Sequence, residues 1–157
     1  MEEKNQFMKE AIRLAGENLI SQKGGPFGAV IVKNGEIIGR GANTVVEGND
    51  PTAHAEINAI REACTNLGSY QLDGCEIYTS CEPCPMCLGA IYWARPSKIY
   101  FAADRHDAEM AGFDDSLIYQ EIKAPIADRQ IPLEQLMKDE AAELFQKWNN
   151  LDKKVEY

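Results

Sequence analysis

Apolar positions recur along this chain with two periods, and the switch between them marks out its elements. Phe7, Ala11, Leu14 and Ala15 fall at helical spacing, and "SQKGGP" from Ser21 to Pro26 ends the helix they predict. The segment "FGAVIVKNGEIIGRGAN", residues 27–43, reads as two short strands joined by Asn34-Gly35, a strong hairpin signal. From Asp50-Pro51-Thr52 a capped helix is predicted to run to about Leu67, closed by Gly68. "EIYTS" (76–80) reads as a strand, "CPMCLGAIYWA" (84–94) as a helix stopped at Arg95-Pro96, and "KIYFAA" (98–103) as the next strand. Further on, Asp114 and Asp115 precede "SLIYQEI" as candidate helix caps, and Ala141, Leu144, Phe145 and Trp148 predict a last amphipathic helix with a packing face.

The order β-β-α-β-α-β puts helices on the faces of a mixed sheet, because parallel neighbours need helical crossovers. The fold class is therefore α/β. With no repeat, low-complexity stretch or linker, 157 residues suit a single domain, 1–157. The first ten residues, MEEKNQFMKE, are charged and carry no apolar signal segment, and no stretch approaches the roughly 18 unbroken apolar residues of a membrane span. A cytoplasmic protein without a membrane partner is expected. Lys and Arg number 16 against 25 Asp and Glu, for a net charge of −9, which disfavours a nucleic-acid partner because such binding leans on basic side chains. A small neutral substrate fits this balance better.

The cysteines narrow the chemistry. Three of the five, Cys81, Cys84 and Cys87, lie within seven residues, too crowded for an ordinary disulfide framework. Metal binding or redox chemistry remains. Pro83 and Pro85 set the start of the following helix, which leaves Cys81 on the strand side. Cys84 and Cys87 fall at i and i+3 on its first turn, where thiolates gain from the positive helix end. They are the better ligand pair, and Cys81 reads more readily as a small buried residue than as a third ligand.

A lone C-x-x-C serves redox chemistry as well as metal binding, so a second feature must decide. One of the two histidines, His54, stands two residues before Glu56 in "PTAHAEINAI" (51–60). By themselves His54 could be a cap or core residue and Glu56 a first-turn acid complementing the helix dipole. Beside the two thiols, His54 completes a three-ligand set that suits a catalytic zinc with water in its fourth position, whereas structural zinc has four protein ligands. At the first turn of a helix Glu56 can reach the same ion, and its carboxylate can carry protons from water to substrate.

Together, "HAE" (54–56) and "PCPMC" (83–87) make up the H-x-E…P-C-x-x-C signature of zinc nucleobase deaminases. On these motifs the chain resembles the cytidine deaminase-like superfamily. The stretches "GGPFGAVIV", "NDPTAHAE", "YQLDGCEIYTSCEPCPMCLGAIYWARP", "AGFDDSLIY" and the final "EY" make it similar, within that superfamily, to the short bacterial guanine deaminases. The resemblance implies a three-layer α/β/α fold with a mixed five-stranded sheet, and Zn2+ held by His54, Cys84 and Cys87. It implies hydrolytic deamination of guanine to xanthine and ammonia, with Glu56 as proton shuttle and Asp115 assisting at the leaving amino group. Asn43 would hydrogen-bond the purine, and Phe27 and Trp93 would line its pocket. A homodimer is also implied, in which the C-terminal segment, about 120–157, is exchanged and Tyr157 completes the partner's site.

Each of these transfers has an ordinary alternative. Asp115 could be a helix cap, Asn43 a turn residue, Trp93 plain core and Tyr157 a frayed end. The zinc motif serves the chemistry and not the choice of base, so cytosine, a nucleoside or adenosine in transfer RNA stay open as substrates. A noncatalytic zinc module would show a fourth protein ligand. A redox dithiol would form a Cys84–Cys87 disulfide without need of His54.

Overall fold

The computed structural model describes residues 2–157, which form two compact units, one up to Asp115 and the other Ser116–Tyr157. In the first unit the elements run α1 (Glu2–Ser21), β1 (Gly28–Lys33), β2 (Glu36–Ala42), α2 (Val45–Gly48), α3 (Ala55–Leu67), β3 (Cys75–Cys81), α4 (Pro85–Ala94), β4 (Lys98–Ala103) and α5 (Arg105–Met110). Asn34 and Gly35, with φ of 52° and 80°, form the tight turn between β1 and β2. The sheet order is β2-β1-β3-β4: β1 is antiparallel to both neighbours, and β3 and β4 are parallel across the α4 crossover.

The sheet has four strands and not the five expected. Immediately after β4 the chain turns into α5 through a capping box. Asp104 accepts from the N–H groups of His106 and Asp107 while Asp107 accepts from the N–H of Asp104. Those bonds satisfy the backbone at the end of β4 within a helical turn, and β4 is left as an edge among the described residues.

Alternation along the strands builds two cores. Ala29 and Ile31 of β1 and Cys75 and Ile77 of β3 face Ala55, Ala59 and Ala63 of α3 and Ile91 and Ala94 of α4. Val30, Val32 and Tyr78 face Leu14 and Phe7 of α1 on the opposite side. The unit is thus three layers, as a two-residue strand period and a helix on each face require. The alanine stripe on α3 lets the helix lie directly on the β2 backbone. A Cβ on Gly41 would overlap the Ala55 carbonyl and come within 2.5 Å of the Ala59 nitrogen. That contact fixes the start of α3.

The helix predicted from Asp50 begins instead at Ala55, with His54 as its cap. Asp50 Oδ1 accepts from the Thr52 N–H at 2.8 Å and the Thr52 hydroxyl at 2.7 Å. This local turn competes with helix for the same backbone donors. The four-residue α2 before it was not anticipated.

Across the sheet edge, Glu10 of α1 accepts from Arg13 at 2.7 Å and from Arg40 of β2 at 3.2 Å. Chiefly the Arg13 bond, working against burial, holds this carboxyl down at about 2 from the ordinary 4.5. A lowered carboxyl contributes stability that is complete above its unfolded pKa and is lost as pH falls through the folded one. The pair is half solvated, so its worth is at most about 1 kcal/mol. Glu10→Gln should lower the melting temperature at pH 7 by roughly 2–4 °C and match the parent near pH 2, as read by thermal unfolding across that range.

The second unit consists of α6 (Ser116–Lys123), a 3-10 turn at Ile126–Asp128 and α7 (Lys138–Asn149). The predicted final helix is present, with Leu144 and Phe145 exposed along it. No described helix is long and apolar enough to cross a membrane.

Candidate active site

Two helix starts carry the central cluster. His54 caps α3 and Cys84 caps α4, both in extended backbone, and Pro85 opens α4 so that Cys87 falls one turn in. Unpaired N–H groups at such ends favour anionic ligands. His54 Nδ1 lies 3.5 Å from Cys84 Sγ and 3.5 Å from Cys87 Sγ, and the three ligand atoms all lie within 4.8 Å of one another. A tetrahedral zinc, with bonds of about 2.0–2.1 Å to nitrogen and 2.3 Å to sulfur, spaces N and S ligand atoms by about 3.5 Å. The donors fit the ion.

The electrostatics agree with that set. A hydrogen bond from Cys87, against burial and with His54 helping, holds the Cys84 thiol down at about 4. The same bond to Cys84 raises Cys87, and hydrogen bonding to Cys84 raises His54.

Glu56, on the first turn of α3, is 6% exposed. Its Oε2 lies 3.5 Å from Cys87 Sγ, and its Oε1 lies 3.3 Å from the Thr79 hydroxyl. Burial, above all, raises its carboxyl above the usual range. Asp115 is half-buried, and burial followed by the nearby charge on Cys84 raises it as well. Both carboxyls are thus shifted upward by their surroundings.

Asn43 follows β2 at 5% exposure, and its Oδ1 accepts from the Val45 N–H at 3.1 Å. The turn role and a binding role are compatible, because that bond leaves the amide N–H groups to donate. Phe27 meets Phe113 edge to face, with centroids 4.9 Å apart at 83°. Trp93 is not core: it is 63% exposed, nine residues and so about 13 Å along α4 from the Cys84 cap. Tyr157 ends the second unit, exposed. Cys81, the last residue of β3, stands outside the metal cluster; its thiol is pushed up to about 11 by burial and donates to the Asp104 carbonyl at 3.5 Å.

Thr79 and Asn58 were not anticipated. Thr79 is buried on β3 against Glu56, while Asn58 of α3 donates to the Ala42 carbonyl at 2.9 Å and to the Thr44 hydroxyl at 3.0 Å. Asn58 so ties the helix bearing His54 and Glu56 to the segment bearing Asn43. Its place one helical turn after His54 is the sequence signal that could have found it.

The model of the cytidine and deoxycytidylate deaminase zinc-binding region matches residues 1–103, and the chain belongs to this family. His54, Cys84 and Cys87 form a cluster that could hold the zinc of this family's zinc-binding region. Over 151 residues the chain is 58% identical to the guanine deaminase of Bacillus subtilis, covering 96% of this chain and 97% of the relative. The solved structure of that enzyme superposes with a TM-score of 0.94 at 57% identity over 98% of each chain. The guanine deaminase from Nitrosomonas europaea matches with a TM-score of 0.66 at 32% identity, covering 92% of this chain and 84% of that one. A tRNA-specific adenosine deaminase of Aquifex aeolicus is 39% identical over 145 residues, 90% of this chain and 91% of the relative.

Proposed function

We propose that this protein deaminates guanine hydrolytically, giving xanthine and ammonia. The observation that carries the reaction class is a buried carboxyl, Glu56, set 3.5 Å from a ligand thiol inside a His-Cys-Cys cluster at two helix starts. Near-full-length likeness to guanine deaminase supports the choice of base.

Zinc held by His54, Cys84 and Cys87 would supply a water acidic enough to attack at neutral pH and a Lewis acid for the charge that develops on oxygen. Glu56 takes one proton from the attacking water and delivers it to the ring nitrogen beside C2, while the water oxygen bonds to C2. C2 becomes tetrahedral. A second proton, passed from the hydroxyl through Glu56 to the exocyclic amine, lets the C–N bond break. Ammonia leaves with the electron pair, and the C2 carbonyl of xanthine forms. Thr79 packs beside the Glu56 carboxyl, its hydroxyl 3.3 Å from Oε1 and 3.0 Å from the Cys81 carbonyl. Asp115, half-buried and with its carboxyl raised by burial and by the charge on Cys84, assists at the amine. Asn43 donates to an acceptor on the purine, and Phe27 with Phe113 supplies an apolar wall for its face.

Ammonia release from guanine, cytosine, adenine, their nucleosides and a transfer-RNA anticodon stem bearing adenosine tests this reading. Guanine turnover alone is the expected result. Turnover of the RNA with none on guanine would transfer the site to the other relatives' substrate, and silence on every base would overturn the enzyme.

A further inference from the structure

We propose that Asn18, far from the metal cluster in sequence, is a positioning residue for base recognition that acts by holding the Asn43 and Phe27 segments together. The inference rests on reading Asn43 as the hydrogen-bond donor to the purine. Asn18 lies near the end of α1 at 4% exposure. One Nδ2 group donates to two carbonyls on different segments, Gly25 O at 2.9 Å and Asn43 O at 2.8 Å, and its Oδ1 accepts from the Ser21 hydroxyl at 3.2 Å. Both amide hydrogens and the oxygen are used.

An asparagine weakens a helix relative to an apolar residue of similar size, and a buried site on α1 would ordinarily take leucine. What asparagine offers here is a pair of donors aimed at two backbone oxygens. The segments it joins are also bonded to each other: Phe27 N–H donates to Gly25 O at 2.8 Å, and Asn43 N–H donates to Phe27 O at 3.1 Å. Gly25 O therefore receives both Asn18 and Phe27, and Asn43 is held through its N–H, its carbonyl and its Oδ1.

Two glycines close the arrangement from the other side. A Cβ on Gly24 would overlap Asn43 Oδ1 and lie 2.7 Å from the Asn43 carbonyl oxygen. A Cβ on Gly25 would lie 2.8 Å from the Phe27 ring and 3.1 Å from that of Phe113. The Asn43 amide and the Phe27 ring thus lie flush on this loop, with no slack to reorient. Neither Asn18 nor the two glycines touch His54, Glu56, Cys84 or Cys87 in any bond found here. Their influence belongs to binding and not to proton transfer.

The experiment is a kinetic double-mutant cycle on zinc-loaded protein with guanine, using Asn18→Leu, Asn43→Ala and the pair. Asn18→Leu should raise KM about tenfold or more, leave kcat within about threefold and keep one zinc per chain. Adding it to Asn43→Ala should raise KM by clearly less than it does in the parent, because one of the two groups it positions is already gone. A general packing defect would instead lower kcat or add fully to Asn43→Ala, and either result overturns the proposal. Should Asn43→Ala itself leave KM unchanged, the reading of Asn43 fails first. If Asn18→Leu does not fold, Gly24→Ala disturbs the same amide from the loop side. It should show the same KM rise without additivity, and an unchanged KM there would overturn the inference.

Discussion

Glu56→Gln is expected to keep one zinc per chain and to lose turnover of guanine by about 10²- to 10⁴-fold. The substitution preserves volume, the seat beside Thr79 and all three metal ligands, His54, Cys84 and Cys87. It removes the group that takes a proton from water and gives it up again. Because glutamine can do neither, the loss should fall on kcat and leave the melting temperature near that of the parent. Metal content by atomic absorption beside steady-state ammonia release makes the comparison. A zinc-loaded variant turning over within threefold of the parent would take Glu56 out of the proton transfers.

The second large effect is one of packing. Gly41→Ala places a methyl on the carbonyl of Ala55 and the nitrogen of Ala59, both backbone atoms on the buried face of α3 that cannot step aside as a side chain could. Overpacking of this kind costs about 1–3 kcal/mol, occasionally more, and a chain of this size loses roughly 2–4 °C of melting temperature per kcal/mol. Since α3 begins with His54 and Glu56, pushing it off β2 should also weaken zinc binding. Gly89 of α4 is the control: a Cβ there meets nothing within 4 Å, and alanine suits a helix better than glycine. Gly89→Ala should match or exceed the parent in stability. Equal melting temperatures for the two variants would mean that the helix–strand contact relaxes without cost.

The legible parts of this fold are those that local chemistry dictates. Asn34-Gly35 turns the hairpin because both positions need positive φ, Gly68 ends α3 in the same left-handed region, and Lys98–Ala103 forms the predicted strand, paired with β3. The errors fall where one local signal competes with another. Asp50, an apparent helix cap, spends its carboxylate on the Thr52 turn, so the helix waits for His54. The expected fifth strand came from resemblance and not from the residues, and the Asp104–Asp107 capping box takes the chain into α5 at the point where β4 ends.

At the site, spacing singled out the candidate ligands: Pro85 marks the helix start that carries Cys84 and Cys87, His54 stands where α3 begins only in the tertiary structure, and the fold brings the three side chains together. Asn18 and Thr79 gave no such signal. Each is an ordinary polar residue at an element position, and each gains its role from partners 23 to 25 residues away that only folding brings within hydrogen-bond reach. The sequence by itself thus determined the α/β class and the candidate metal ligands, because local backbone preference and donor chemistry are properties of short stretches. The tertiary structure alone decided how Glu56 is buried, how tightly α3 lies on β2 and what holds Asn43, because those depend on distances between atoms remote along the chain.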